Sequence, residues 1–367
     1  MKPHYHVMFD GRMITGKVSG VSRHLINLIS GLNEVASQNK YSVILYDKEA
    51  LELFGDKLEI VWAKHPCGSI FEFLEIPKII HKYKPDIFHN PFFSPIIPHE
   101  QVPYLITVHD LINITEEKNP FKKFYRKIIL KRACRIADRI LTLSEHSKKL
   151  LSKEIGVASK HIDVIYSAVQ EKFFKEIDPT KMQEVKKKYN LPEKYLLYIG
   201  KCGSYRNLKN TIDAYLDSGV EAPLVMSLYW PQLKELCGSE LKPEKVICIG
   251  PVSDQDLPYV YKGANLFLFL SLMEGFALPV VEAFASRIPV ITSNISSLPE
   301  ISRSCAVEVD PKDVNGISAA IKIAMTDDVL RSRNVDYAFK RAKDFTSQKL
   351  AERVIAIYEK ILSEYGA

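Results

Sequence analysis

Two carboxylates, Glu274 and Glu282, stand eight positions apart in the run LFLFLSLMEGFALPVVEAFASRIPVITSNISSLPEI, residues 266–301. Glu274 lies in a short loop after an apolar, strand-like stretch, and Glu282 lies inside the helical pattern that follows. Pro279 stands where that helix begins, a favourable place because the first N–H groups of a helix have no partner within it. Loop and helix start therefore offer free N–H groups and the positive end of the helix dipole, which suits a diphosphate. Carboxylates on the loop and on the first helical turns can both accept from a hydroxyl-rich ligand such as a sugar or a ribose. The spacing leaves plainer roles open as well, with Glu274 capping the helix and Glu282 on its surface.

A second chemical stretch is YLLYIGKCGSYRNLKNTIDAYL, residues 195–216. A strand pattern ends in Gly200, and Lys201, Arg206 and Lys209 follow before the next helix pattern. Cations at a strand's carboxyl end can neutralise a departing diphosphate, as a bound Mg²⁺ does elsewhere; as plain surface charges they need no ligand. In the N-terminal half, LITVHDLINI places His109 and Asp110 at the end of a buried strand, where a lone histidine is more often a hydrogen-bonded core residue. The Gly/Ser loop in GKVSGVSRHLINLISGL, Gly16–Leu32, leads into an amphipathic helix, and Gly20 permits close backbone approach. Without the full Gly-x-Gly-x-x-Gly spacing it does not argue for a dinucleotide. Asp254-Gln255-Asp256 looks like a metal-binding pair but precedes LPYVYKGA and reads as a helix N-cap. The histidines show no i, i+4 ligand pair, so no metal is assigned. Ser144, in LTLSEHS, reads as a cap for a helix over 145–151.

Positioning these residues takes an alternation of short strands and longer helices. Strands are expected at His6–Phe9, Ser42–Tyr46, Ile60–Ala63, Ile87–His89, Leu105–Val108 and Arg139–Leu143, then at Tyr195–Ile199, Leu224–Ser227, Val246–Ile249, Leu266–Leu270 and Val290–Thr292. Such alternation favours parallel, doubly wound sheets with helices on both faces. At 367 residues the chain exceeds one ordinary core, and a break near Ser167–Phe173 separates the two strand sets. The architecture expected from pattern is α/β, two Rossmann-like domains with a cleft between them.

Composition narrows the classes. The chain is 46% hydrophobic and 26% charged, an ordinary globular balance. No apolar run reaches the ~18 residues of a membrane span, and the N-terminal stretch has no signal-like apolar core. Six scattered cysteines read as reduced thiols of a cytosolic enzyme. The net charge of +6 resides entirely in residues 1–168, with 24 basic against 18 acidic side chains. Residues 118–135 hold eight of the basic ones (Lys118, Lys122, Lys123, Arg126, Lys127, Lys131, Arg132 and Arg135) and no acidic one. Phe121, Phe124, Tyr125, Ile128, Ile129 and Ala133 interleave as one apolar face. Such a helix suits an anionic membrane surface or an acidic acceptor, and equally a solvated surface. No nucleic-acid motif accompanies it.

The Glu274-to-Glu282 segment resembles the Glu-x7-Glu signature of retaining glycosyltransferases of the GT-B fold, in particular glycosyltransferase family four. EGFALPVVEA, PVITSN and SLPEI all fit that pattern, and the likeness extends over nearly the whole chain. Ala277 departs from it, standing where the family commonly has Gly. The resemblance implies a GT-B fold, two Rossmann-like domains with parallel sheets facing each other across a cleft. Residues 1–168 would bind acceptor and 169–345 nucleotide sugar, with 346–367 a C-terminal helix packing back toward the N-terminal domain. Glu274 would contact the transferred sugar and Glu282 the ribose, with Gly275, Phe276, Ala277 and Leu278 beside sugar and diphosphate. Lys201 and Arg206 match the family's cation pair, with Lys209 a lesser candidate. His109, with Asp110, would face the reacting sugar, and Gly16 and Gly20 would lie in the loop between donor and acceptor.

The expected function is retaining, metal-independent transfer of a hexose, best mannose, forming an α-linkage in cell-surface polysaccharide synthesis. The donor would be a nucleotide sugar, GDP-mannose ahead of UDP- or dTDP-sugars, with no further cofactor. The acceptor would be lipid-linked or a glycan, and the enzyme cytoplasmic, peripheral on the inner membrane face through residues 118–135. The alternatives are another GT-B enzyme, epimerase-like or phosphorylase-like, and a non-catalytic nucleotide-sugar-binding protein at the membrane.

Overall fold

A computed structural model of the chain describes all residues except 1–3, 16–18, 37, 55–57, 93–101, 238–243 and 366–367, and all described side chains but those of 237 and 328–333. The chain divides into two compact units, Met1–Ala168 with Ser347–Ala367, and Val169–Thr346.

The first unit is built on seven parallel strands: β1 (His6–Asp10), β2 (Lys40–Leu45), β3 (Glu59–Trp62), β4 (Ile87–Asn90), β5 (Tyr104–Val108), β6 (Arg139–Thr142) and β7 (Ile162–Val164). Their spatial order is β3-β2-β1-β4-β5-β6-β7. Its helices are α1 (Gly20–Val35), α2 (Glu72–Tyr83), α3 (Ile112–Thr115), α4 (Pro120–Ile136) and α5 (Glu145–Ile155). The central strands are buried on both faces, which explains their nearly unbroken apolar runs. Ile76 and Ile80 of α2, Leu130 and Ala133 of α4 and Leu151 of α5 enter one core, so these helices cover the same face of the sheet.

The second unit contains α6 (Pro179–Lys188), β8 (Leu196–Tyr198), α7 (Leu208–Ser218), β9 (Leu224–Met226), α8 (Trp230–Cys237), β10 (Val246–Cys248) and α9 (Leu257–Lys262). It continues with β11 (Leu266–Phe269), α10 (Leu278–Ala285), β12 (Val290–Ser293), α11 (Leu298–Ser302), β13 (Val307–Val309), α12 (Val314–Thr326) and α13 (Asp328–Ala342). Its parallel sheet runs β10-β9-β8-β11-β12-β13. The last helix, α14 (Ser347–Tyr365), belongs to the first unit and packs on α1. Gly31 makes this contact possible, because a Cβ there would come within 2.1 Å of the Ser347 carbonyl oxygen.

Two strands escape the sequence pattern, β7 and β13. Each is three residues long, has an acidic residue at its centre and sits at a sheet edge, so neither shows the apolar signal of a buried strand. The apolar residues of α4 form two faces instead of the single one expected. At about 100° per residue, Phe121, Phe124, Tyr125 and Ile128 point opposite to Leu130 and Cys134, and only the latter side is buried.

Candidate active site

In an open parallel sheet the loops at the carboxyl ends of two strands diverge where the strand order reverses, and ligands bind in the crevice this creates. In the second unit that reversal lies between β8 and β11. The loop after β8 carries Lys201 and Arg206, and the loop after β11 carries Glu274. Tertiary structure thus brings together residues 68 positions apart, and Arg206 Nη1 forms an ion pair with Glu274 Oε1.

The pair is nearly dry, with side chains 15% and 7% exposed. Burial works against the Arg206 cation, yet Glu274, Tyr198 and Tyr205 together hold its pKa above the ordinary value. The guanidinium lies over the rings of Tyr205 and Phe269, 4.8 and 5.2 Å from their centroids. Its Nε is buried and has no hydrogen-bond partner among the described residues. Glu274 is held by its backbone too. Its N–H donates to Ser296 Oγ at 3.0 Å, and its carbonyl accepts from Ser296 and Ser297 hydroxyls, each at 3.1 Å. A further bond, Leu272 N–H to the Tyr205 carbonyl at 2.7 Å, ties the two loops.

Past Glu274 come Gly275 and Phe276, both buried, with Phe276 edge-on to Phe345 at 5.3 Å. Ala277 is the N-cap of α10, and its φ of 67° and ψ of 55° lie in the left-handed region. That is the physical reason a glycine suits this position. Leu278 opens α10, and Pro279 is its second residue where the sequence pattern puts it first. Ala277, not Glu274, occupies the N-cap position of α10. Nor is Glu282 on the surface: it is 2% exposed and accepts from the Tyr261 hydroxyl at 2.9 Å.

Lys201 is exposed, its carbonyl accepting from the Tyr198 hydroxyl at 3.3 Å. Lys209, the second residue of α7, reaches along the helix to Asp213 at 2.6 Å, an exposed i, i+4 pair. Asp256 occupies the N-cap of α9 as expected but caps nothing with its side chain. Its carboxylate takes Lys188 Nζ at 2.6 Å, Ser253 Oγ at 2.7 Å and Tyr189 Oη at 3.0 Å, and Asp254 pairs with Lys172.

In the first unit the strand order reverses between β1 and β4. His109 follows β5 directly. Its Nε2 donates to the Pro91 carbonyl at 2.7 Å, fixing the tautomer, and its ring stands 5.0 Å from that of His24, edge to face. Burial lowers its pKa, against the raising effects of Pro91 and Asp110, so the ring is neutral near pH 7. His24, on α1, reaches Ser167 Oγ at 3.2 Å through Nδ1. His89 is bound at both nitrogens, by Tyr358 at 2.7 Å and Thr107 at 2.8 Å, and burial lowers its pKa to about 3. Asp110 accepts from Ile112 N–H at 2.9 Å and shapes the turn into α3. Gly20 is the first residue of α1, and open space surrounds the position its Cβ would take. Gly16 lies outside the described residues. Ser144 is a helix cap, accepting from Ser147 N–H at 3.1 Å.

Sequence reasoning missed Tyr261, Ser296, Ser297 and His24. Their parts depend on contacts between separate elements, and none stands in a spacing that signals chemistry. The assembled site offers a buried carboxylate at a helix entrance, a guanidinium with an unused donor and a second carboxylate on the same helix. That set can hold a sugar, neutralise a diphosphate and accept from a ribose.

Known proteins resemble this chain in sequence and in fold. The model for Glycosyltransferase Family 4 matches residues 18–173, and the model for Glycosyl transferases group 1 matches residues 181–341. O-antigen chain mannosyltransferase B of Escherichia coli is 30% identical over 291 residues, which are 76% of this chain and 76% of that protein. The chain belongs to glycosyltransferase family 4. O-antigen chain mannosyltransferase RfbU of Salmonella typhimurium is 28% identical, covering 69% of this glycosyltransferase and 72% of the relative. Serotype-specific mannosyltransferase WbdA of Escherichia coli is 26% identical over 75% of this chain, which spans only 36% of its length. Among solved structures, Anabaena HepE in complex with UDP and glucose aligns over 97% of this chain and 100% of its own, with a TM-score of 0.74 and 14% identity. The fold of this glycosyltransferase is GT-B. No helix among its described residues is long and apolar enough to cross a membrane.

Proposed function

We propose that this family 4 glycosyltransferase transfers mannose from GDP-mannose, with retention and without a metal, to a lipid-linked or oligosaccharide acceptor in cell-surface polysaccharide synthesis. The Arg206–Glu274 pair at the strand-order reversal of the second unit carries the reading. The mannosyltransferase relatives support the sugar and the pathway class.

In the reaction the bond between sugar C1 and the β-phosphate oxygen breaks, and the acceptor oxygen bonds C1 on the same face. The acceptor proton leaves with the departing phosphate. Glu274 holds the sugar hydroxyls, and Glu282, oriented by Tyr261, takes the ribose. Arg206 uses its remaining donor on the diphosphate, Lys201 adds a second charge, and the N-terminal turn of α10 at Leu278 contributes its dipole. The charge on the leaving group grows toward the transition state, so these groups act mostly there. Neutral His109, with Asp110, serves the acceptor side, as do Gly20 and Gly16. Lys209 is the weakest member of the set, because Asp213 already engages it. The basic α4 region, residues 118–135, would hold the enzyme against an anionic membrane surface on the cytoplasmic side.

A panel of GDP-, UDP- and dTDP-sugars scored for protection against unfolding tests the donor. A ligand at 100 times its Kd adds about 2.7 kcal/mol. GDP-mannose should protect most; protection by UDP-glucose alone would overturn the mannose assignment. Turnover that persists in chelator and an axial, α-configured product would support the metal-free retaining course; a β-product would refute it.

A further inference from the structure

α2 and α4 end just before β4 and β6 respectively, so both begin at the carboxyl end of the first unit's sheet, on the same face. At that end they leave large apolar side chains in water. Ile70, Phe71, Phe73 and Leu74, at the start of α2, are 77%, 51%, 44% and 64% exposed. Phe121, Phe124, Tyr125 and Ile128 of α4 are 83%, 67%, 64% and 47% exposed. Large apolar side chains left exposed at one end and on one face of a sheet point to an interaction site.

The local charges say which partner fits. Four of the acidic residues in these segments and on α5 already have partners. Glu72 turns inward, 4% exposed at its side chain, to Arg12 at 3.3 Å and to the Gly68 N–H at 2.9 Å. Glu75 accepts from His65 Nδ1 at 2.9 Å and from the Lys64 and His65 N–H groups. Glu117 pairs with Arg126 at 3.0 Å, and Glu154 with Lys127 at 2.9 Å. Lys122, Lys131, Arg132 and Arg135 are exposed and carry no ion pair among the described residues. On α4 the outward side is therefore apolar in its first half and basic in its second, so that one half can enter the acyl boundary while the other meets the headgroups.

We propose that the start of α2 and the outward side of α4 form one surface that inserts into an anionic bilayer, with Ile70, Phe73 and Leu74 supplying apolar contact that charge alone does not. This rests on the membrane reading of α4 given above and adds a second, salt-resistant component to it. Charge attraction is screened within ~8 Å at physiological ionic strength, whereas apolar burial is not.

The test uses the full chain with vesicles of phosphatidylcholine containing phosphatidylglycerol, at low salt and at high salt. The wild-type protein should sediment at low salt and keep a substantial bound fraction at high salt. Ile70→Ser/Phe73→Ser/Leu74→Ser should still sediment at low salt but lose at least fivefold in vesicle affinity at high salt. Its unchanged thermal unfolding and nucleotide binding would establish that the fold is intact. Equal binding of variant and wild type at high salt overturns the α2 contribution alone. Wild-type protein left in the supernatant at low salt refutes the membrane reading beneath it. A wild-type dimer that the triple substitution makes monomeric, with vesicle binding unchanged, assigns the face to a second copy of the chain and overturns the proposal.

Discussion

Tyr261→Phe removes a single oxygen from the site and leaves its packing alone. The ring sits edge-on to Phe173 at 5.7 Å and tilted against Phe267 at 5.3 Å, contacts that phenylalanine can also make. What disappears is the 2.9 Å hydrogen bond to Glu282, in a place where Tyr261 is fully buried and Glu282 is 2% exposed. A hydrogen bond to a charged group is worth about 1.5–3 kcal/mol, and water cannot easily replace it at that depth. The second unit should therefore lose about that much stability in urea. Binding should change selectively. A carboxylate no longer held in one orientation is a poorer acceptor for ribose hydroxyls, and a loss of about 1.4 kcal/mol is tenfold in Kd. Calorimetric titration with GDP and with 2′,3′-dideoxy-GDP reads this directly. The wild-type protein should prefer GDP, and Tyr261→Phe should narrow the preference mostly by weakening GDP. Equal weakening of both nucleotides, or a stability change under about 0.5 kcal/mol, would refute the orienting role.

Arg206→Ala should destabilise the second unit by about 3–5 kcal/mol, because Glu274 keeps its buried charge without its guanidinium. Arg206→Lys should retain most of the stability but lower kcat more than donor affinity; an alanine variant as stable as wild type would contradict the pair. Ala277→Gly should be at least as stable as wild type in thermal unfolding, while Ala277→Val should lose about 1–3 kcal/mol at this left-handed φ; tolerance of valine would argue against the strain. Acid should weaken the first unit. His89 has a folded pKa of about 3 against an ordinary 6.5, so its neutral form stabilises the fold above pH 6.5 and that stability is lost as pH falls toward 3. At pH 5 this costs about 2 kcal/mol, with buried His24 and His109 adding in the same direction. An unfolding midpoint for the first unit that is equal at pH 7.5 and pH 5 would exclude the effect.

The Arg206–Glu274 pair also bears on how the enzyme is kept ready. Arg206 and Glu274, to which the proposed reaction assigns different parts of the donor, neutralise each other as an ion pair. Their positions are fixed by the Ser296 and Ser297 grip on the Glu274 backbone and by the aromatic bed beneath Arg206. Little reorganisation is then needed when the diphosphate enters, the condition under which fixed charges act most strongly.

Local features of the sequence determined much of this protein. The apolar runs of β1, β5, β8 and β11 are legible because strands buried on both faces tolerate few polar residues. The Glu274-to-Glu282 spacing is legible because it lies within one loop and one helix. The cap at Ser144 is legible because its bond spans only three residues. Tertiary structure decided what depends on distant segments or on which side of an element faces the core. The edge strands β7 and β13 form because a neighbouring strand supplies their hydrogen bonds, and nothing in Ile-Asp-Val or Val-Glu-Val announces it. Periodicity located the helix of residues 118–135 but not which of its apolar residues are buried, since only Leu130, Ala133 and Cys134 meet the sheet. The pairing of Arg206 with Glu274 arises because parallel strands deliver their loops to one end of a sheet. The bond from Tyr261 to Glu282 joins helices α9 and α10, and the approach of His24 to His109 brings α1 to the end of β5. Sequence spacing encodes neighbours along a strand or a helix, whereas the order of strands in a sheet selects partners across it.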